Sequence, residues 1–549
     1  MKEGDIVRIL KISKAHTFLI GIMMMAILLC CGSQVQAEQS GDYTYTVTSG
    51  KAEITGYTGT GGAVTIPSTL GGAPVTSIGR FTFWRCLKLT NISIPQGVTS
   101  IGDSAFDTCI GLTTVNIPQG VTNIGSHTFC RCTQLTSINI PQEVTSIGDG
   151  AFGGCESLKN IIIPQGTTSI GHQVFSYCKS LTSITVSPEN LNYASIGGVL
   201  FNKAGVILIE CPEGLTSINI PQGVTRIGDG AFLDCTRLTA ISIPQGVTSI
   251  GDGAFDGCKG LTAISVPQEV TSIGDRAFLD CTGLTSISIP QGLTSIGNEA
   301  FDGCTRLTAI SIPQGVTSIG DGAFDGCTGL TAISIPKGVT SISGWTFYGC
   351  TGLTAISIPQ GVTSIGNFAF YGCSGLTSIT VAGGNLNYSS INGMLFNKTG
   401  TTLIECPKGL TSISIPQGVT SIGERAFDGC KGLISISLPQ GVTNIGFGAF
   451  DGCSELISIS LPREVTSIGN MAFDCCRSLT SISIPQRVSS IDSSTFSCCS
   501  LTRITFNSAT TAIYDDPSTI PALTKIIGYA SSTAKDYATK YKRKFEVIK

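Results

Sequence analysis

The stretch Leu261–Gly283, LTAISVPQEVTSIGDRAFLDCTG, decides the fold, because the chain on either side repeats it almost unchanged. Apolar residues hold its first, fourth and sixth positions. In the next copy, LTSISI over Leu284–Ile289, the intervening Thr285, Ser286 and Ser288 are small and polar. Such alternation marks a half-buried strand. Pro290 ends that strand, since it has no amide hydrogen to give to a ladder, and Gln291-Gly292 makes a corner. Leu293 and Ile296 begin a second apolar alternation on the opposite side of the coil, and Gly297 turns the chain again. Asn298, or Asp229, Asp252, Asp275 and Asp321 in other copies, then precedes a small-aromatic pair such as Ala323-Phe324. That pattern predicts an N-cap on a single helical turn whose phenylalanine fills the core.

The unit returns every 23 residues. Phenylalanine keeps this step from Phe83 to Phe175, from Phe232 to Phe370 and from Phe427 to Phe496, and a cysteine follows each of the sixteen three residues later. A fixed period of this length is the mark of a solenoid, in which each coil packs only on its neighbours, so 549 residues need not divide into separate globules. The expected fold is a mostly β repeat solenoid of the α/β class, a rod of 23-residue coils. Two coils, Leu181–Leu215 and Leu376–Leu410, take 34 residues. Their inserts, 187–212 and 382–407, are near-copies 195 residues apart, and in each an apolar run, an Asn-Lys-x-Gly turn and a second apolar run predict a β-hairpin that projects or folds back at the edge of the rod.

The remaining segments fall around the solenoid, which is expected over 81–508. Residues 38–80 read as strands and glycine turns forming an N-terminal cap, and 509–549 as a C-terminal cap with a strand, a short helix after Ser532 and a last strand. Residues 1–37 read as a signal peptide: Lys2, Arg8, Lys11 and Lys14, the apolar run Phe18–Cys31, then Val35 and Ala37 at the small-residue positions of a cleavage site. Lipidation at Cys30 or Cys31 is the weaker reading, because Leu29 or Cys30 stands where a small residue is needed. No later stretch is apolar for long enough to span a bilayer.

Composition narrows the function. Only 13% of residues are charged, net charge is −3, and Lys540, Lys542, Arg543 and Lys544 form the one basic cluster, too little for a nucleic-acid face. The ladder cysteines read as buried thiols filling a small apolar position, with Cys130, Cys475, Cys498, Cys211 and Cys406 outside it. The chain has no C-x-x-C spacing, which argues against a zinc site. It has no nucleophile elbow, metalloprotease helix or phosphate loop, and its two histidines beyond the leader, His127 and His172, lie in separate coils. A non-catalytic protein without cofactor or metal is expected. The Thr/Ser rows of the sheet face read as a solubilising surface, with binding of ice or crystalline polysaccharide as a minor alternative.

The unit LxxIxIPxxVxxIGxxAFxxC, the NLNYxSIxGxLFNK inserts and the closing IIGYASSTAKDYATKY resemble the BspA-like, or Treponema-type, leucine-rich repeat family over residues 42 to 549. The resemblance implies a curved right-handed leucine-rich-repeat solenoid of secreted or cell-surface proteins. For some members it implies adhesion to matrix proteins such as fibronectin and fibrinogen, and it supplies no catalytic residues. Many surface members continue into further domains or an anchor, whereas this chain is expected to stop after its cap. The expected function is therefore protein–protein or cell–matrix adhesion by a monomeric extracellular rod. Its partner would be a protein or glycan bound through avidity along many coils. The alternative is a structural surface or matrix component with no specific ligand. Tyr193 and Tyr388 of the inserts are candidate partner-binding residues, as are Trp345, Tyr348 and Tyr371 in the most aromatic stretch of the rod. Packing of both insert tyrosines onto the rod is the competing reading.

Overall fold

The computed structural model describes residues 37–410 and 413–548, so all but the last residue of the leader read over 1–37 lies outside the described residues. Successive coils stack in parallel at the 23-residue step. Ala263 to Ser265 pairs with Ser286 to Ser288 on one face, and Ser272 and Ile273 pair with Ser295 and Ile296 on the other. Register cannot slip, because a shift of one residue would turn every inward isoleucine to solvent. The outward hydroxyls are tied into the same stack: Thr285 Oγ1 donates to the Thr262 carbonyl at 3.0 Å, and Thr294 Oγ1 to that of Thr271 at 2.9 Å.

The phenylalanine rungs form the spine of the core. Their rings are buried and stacked, 4.8 Å between centroids for Phe427 and Phe450 and 5.9 Å for Phe347 and Phe370, nearly parallel in both pairs. The cysteine rungs do more than fill space. Cys304 Sγ donates to the carbonyl of Phe278 in the preceding coil at 3.2 Å, and Cys281 repeats this toward Phe255 at 3.1 Å. The Phe278 carbonyl also accepts from the Cys281 amide of its own coil, so the Cys304 thiol supplies a second, weak donor that alanine would not.

The corner is not a helical turn, which corrects the sequence reading. Arg276 and Asp280, four residues apart, have φ of 56° and 53°, and most coils carry glycine at one or both equivalent positions, as in Gly253 and Gly257. This alternation of hand turns the amides along the rod. Those of Arg276, Phe278 and Asp280 donate to the carbonyls of Asn298, Ala300 and Asp302 in the next coil at 2.7–2.8 Å. The aspartates are likewise not N-caps: Asp275 Oδ1 accepts from the Asn298 amide at 2.7 Å, and Asp252 Oδ1 from that of Asp275 at 2.9 Å. The stacked coil offers each carboxylate its nearest free amide, 23 residues on. Among the described residues the α-helix is Thr533–Lys540, following Ser532 as expected, and the Ser532 hydroxyl accepts from the Lys535 amide.

The first strands, Glu38–Ser40, Tyr43–Thr48 and Lys51–Tyr57, are antiparallel, and the third starts the parallel stack by pairing with Ala73–Ile78. At the other end Lys525–Gly528 and Phe545–Val547 close one sheet.

The hairpins fold back into the rod. In the first insert Tyr193–Ile196 and Val199–Asn202 are antiparallel, and Ile207–Glu210 pairs with Val199–Asn202 on one edge and with the following coil's Arg226–Ile227 on the other. Tyr193–Ile196 adds a strand that the sequence reading did not include. The middle strand acts as a partition: Leu200 packs with the core before it, Val199 and Phe201 with the core after it. Leu395 against Met394 and Phe396 repeats the arrangement, so the core falls into three segments divided at the two inserts.

Candidate interaction site at the insert junctions

At each insert the corner loses its next coil, and the amides that would have paired with it need other acceptors. The first junction supplies carboxylates. Glu210 Oε1 accepts from the Phe175 amide at 3.1 Å, and Glu213 Oε1 accepts from the Tyr177 amide. Burial pushes Glu210 up from 4.5 to about 7, against the Phe175 amide, which lowers it. Burial likewise pushes Glu213 up to about 8. The stack resumes at Cys211, whose amide donates to the Ala231 carbonyl at 2.7 Å in place of a phenylalanine amide. The break leaves a groove of about 550 Å³ between His172, Glu210, Glu213, Asp229 and Arg276.

The second junction has the same backbone and different chemistry. Glu405 stands at the place of Glu210, but Lys408 replaces Glu213. Its Nζ lies 3.2 Å from Glu405 Oε1 and 5.1 Å from the centre of the Tyr371 ring. Burial alone would lower Lys408, yet the Glu405 carboxylate holds its ammonium above the ordinary value. Arg425 pairs with Asp428 at 2.7 Å and lies over Phe368 at 5.0 Å and Phe447 at 5.2 Å. The groove here is smaller, about 180 Å³, and Phe368, Tyr371, Lys408 and Arg425 line it.

Of the candidate residues, three come together beside this second groove. Trp345 stacks on Phe368 at 6.2 Å and 8°, Tyr348 on Tyr371 at 5.1 Å and 18°, and Phe368 meets Tyr371 edge-on at 5.8 Å. Phe368, absent from the sequence-stretch reading of Trp345, Tyr348 and Tyr371, is the ring that joins the two stacks. Trp345 is 48% exposed, and φ is 52° at Trp345 and 58° at Phe368, the corner position where Gly322 and Gly448 stand in other coils. The left-handed corner is common to the coils, which hold Arg276, Glu299 and Met471 at the same position; what sets this pair apart is two large aromatic rings stacked there. The other tryptophan, Trp84, is also about half exposed on a corner, beside Phe81 and Arg85.

Tyr193 and Tyr388 are apart from this cluster. Both are partly buried and packed against the core. The Tyr193 hydroxyl accepts from the Ile170 amide at 3.1 Å, closing the last strand of the sheet before the insert, and Tyr388 bonds Ile365 in the same way. Each is set by a buried asparagine. Asn190 donates to the carbonyls of Pro164 and Thr167 and accepts from the amides of Asn192 and Tyr193, as Asn385 does in the second insert.

The family model described as BspA type Leucine rich repeat region matches residues 76–205, 210–327, 294–414 and 402–517. Among solved structures, the chain is similar to a leucine-rich repeat protein from Eubacterium ventriosum at 28% identity. That match covers 61% of this chain and 93% of the other, with a TM-score of 0.49. It is also similar to one from Bacteroides ovatus, at 26% identity over 93% and 100% of the two chains and a TM-score of 0.33. A leucine rich cell surface protein from Faecalibacterium prausnitzii is 24% identical over 94% and 95%, with a TM-score of 0.31. No curated protein matches the chain.

Proposed function

The chain belongs to the BspA-type leucine-rich repeat family, and from that premise we propose that it is a non-catalytic, extracellular adhesion protein whose recognition surface is the aromatic cluster at the second junction. The observation that carries this reading is the stack of the half-exposed Trp345 on the half-buried Phe368, beside Tyr371, Lys408 and Arg425. Tryptophan, tyrosine and arginine dominate the binding energy of protein interfaces, and here they adjoin a groove. Elsewhere the Thr hydroxyls of the sheet faces donate to their own stack, and a monotonous surface offers no convergent set of groups. A matrix-type protein partner therefore fits better than a crystalline one. Secretion rests on the leader read over 1–37. No helix among the described residues is long and apolar enough to cross a membrane.

The test is saturable binding of residues 38–549 to immobilised fibronectin, fibrinogen and a glycan panel, beside the Trp345→Gly/Phe368→Gly variant. Glycine relieves the strained backbone while removing the platform, so the variant folds. Loss of binding by tenfold or more supports the site. Unchanged binding moves recognition elsewhere on the rod, and no binding to any ligand favours a structural component. Deleting the hairpins is not a clean test, because Leu200, Phe201 and Leu208 are core.

A further inference from the structure

The 23-residue step brings together side chains that no linear motif reveals, and near the C-terminal end it does so with two cysteines outside the thiol ladder. Cys475 and Cys498 occupy stacked corner positions with φ of 53° and 56°, where Gly303, Gly326, Gly429 and Gly452 stand in other coils. Their neighbours Cys476 and Cys499 are committed to the ladder, donating to the carbonyls of Phe450 and Phe473. The two remaining thiols lie at the surface, Cys475 half-buried and Cys498 exposed. The sulfurs of Cys475 and Cys498 and a carboxylate oxygen of Asp474 all lie within 4.8 Å of one another. Asp474 Oδ1 is buried with no hydrogen-bond partner.

We propose that Asp474, Cys475 and Cys498 form a binding site for a soft divalent cation of the zinc class, with two sulfurs, one carboxylate oxygen and solvent completing a tetrahedron. A tetrahedral ion with Zn–S bonds of about 2.3 Å sets its two sulfurs about 3.8 Å apart, so small side-chain rotations close the site. Two thiolates and one oxygen select Zn²⁺ or Cd²⁺ over calcium or magnesium, which take oxygen alone. Binding releases the two thiol protons to solvent and brings the Asp474 carboxylate, one oxygen of which is buried without a partner, onto the cation. A Cys475–Cys498 disulfide, formed by loss of two electrons and two protons to an external disulfide oxidant, would leave that oxygen orphaned. The cation fits better for that reason. Bound across two coils, it would staple the last phenylalanine-bearing turns of the rod. The absence of C-x-x-C spacing, which argued against zinc from sequence, does not bear on ligands that the stack brings together.

The full chain, reduced and freed of metal by chelation, is titrated with Cd²⁺ under native conditions while thiolate-to-metal charge-transfer absorption is followed. One equivalent bound with a thiolate band is expected. The Cys475→Gly/Cys498→Gly variant, which restores the residue of other coils and keeps the fold, should lose the band, and Asp474→Asn should weaken binding by about tenfold. Zn²⁺ should compete for the site and protect both cysteines from alkylation. Absence of a thiolate band overturns the proposal, as does a band that survives in the double-glycine variant. So does recovery of a Cys475–Cys498 disulfide from protein that takes up no metal after reduction.

Discussion

Neutralising the two carboxylates of the first junction should stabilise the rod at high pH and leave it unchanged at low pH. In the unfolded chain both glutamates titrate near 4.5, whereas burial holds Glu210 at about 7 and Glu213 at about 8 in the folded rod. The folded state therefore binds protons more tightly than the unfolded one. Below about pH 4.5 neither group costs anything. As pH rises from there the unfolded chain gives up its protons more readily than the fold, so stability falls until the folded carboxylates themselves ionise at about 7 and 8, and then levels off. At 1.36 kcal/mol per pH unit the Glu210 shift amounts to about 3 kcal/mol at pH 9, with a similar or larger contribution from Glu213. Glutamine keeps the carbonyl that accepts the Phe175 and Tyr177 amides and discards only the charge. Urea unfolding of wild type and Glu210→Gln/Glu213→Gln at pH 4 and pH 9 should give midpoints that coincide at the lower pH. At the higher pH the variant should be more stable by at least about 2 kcal/mol. Equal destabilisation at both pH values would refute the reasoning, since it would mean that the carboxylates act as hydrogen-bond acceptors whose charge is already relieved. The protein carries its own control: Glu213→Lys copies the Glu405–Lys408 pair of the second junction and should remove most of the pH dependence.

Truncating a phenylalanine rung, Phe301→Ala, removes a ring stacked on both sides and should cost about 3–5 kcal/mol in unfolding free energy, read by urea denaturation. Leu200→Ala in the first partition should cost about 2–5 kcal/mol and, by amide exchange, loosen the coils before the insert more than those after it, because Leu200 belongs to the earlier core segment. Trp345→Gly should raise the unfolding midpoint, by about 1 kcal/mol in free energy, since glycine enters left-handed backbone without the side-chain clash. In the native protein a thiol reagent should modify Cys498 and Cys475 long before the buried ladder cysteines from Cys109 onward, whose thiols burial raises and shields, as at Cys155 and Cys327.

The rod, its period and its hairpin coils were legible because the inward positions of a stacked coil repeat along the chain with almost no interruption. The corner was not, because its partners lie 23 residues away. Asp275 beside Ala277-Phe278 looks like a cap when read locally, and only stacking shows that its carboxylate serves Asn298. A signal was present in the glycines of D-G-A-F-D-G-C, spaced four apart, which ask for left-handed backbone rather than a helical turn. Trp345, Tyr348 and Tyr371 could be picked out by aromatic density, while Phe368 and the cations Lys408 and Arg425 join them only across coils. Tyr193 and Tyr388 attracted notice as insert aromatics, but their hydroxyls serve the sheet edge.

The most direct measurement is hydrogen exchange of the rod with and without a saturating matrix protein that it binds. Protection concentrated in residues 344–371 and 404–425, and absent in the Trp345→Gly/Phe368→Gly variant, is the expected result. Protection spread evenly over the sheet faces, or confined to the first junction, would contradict recognition at the second.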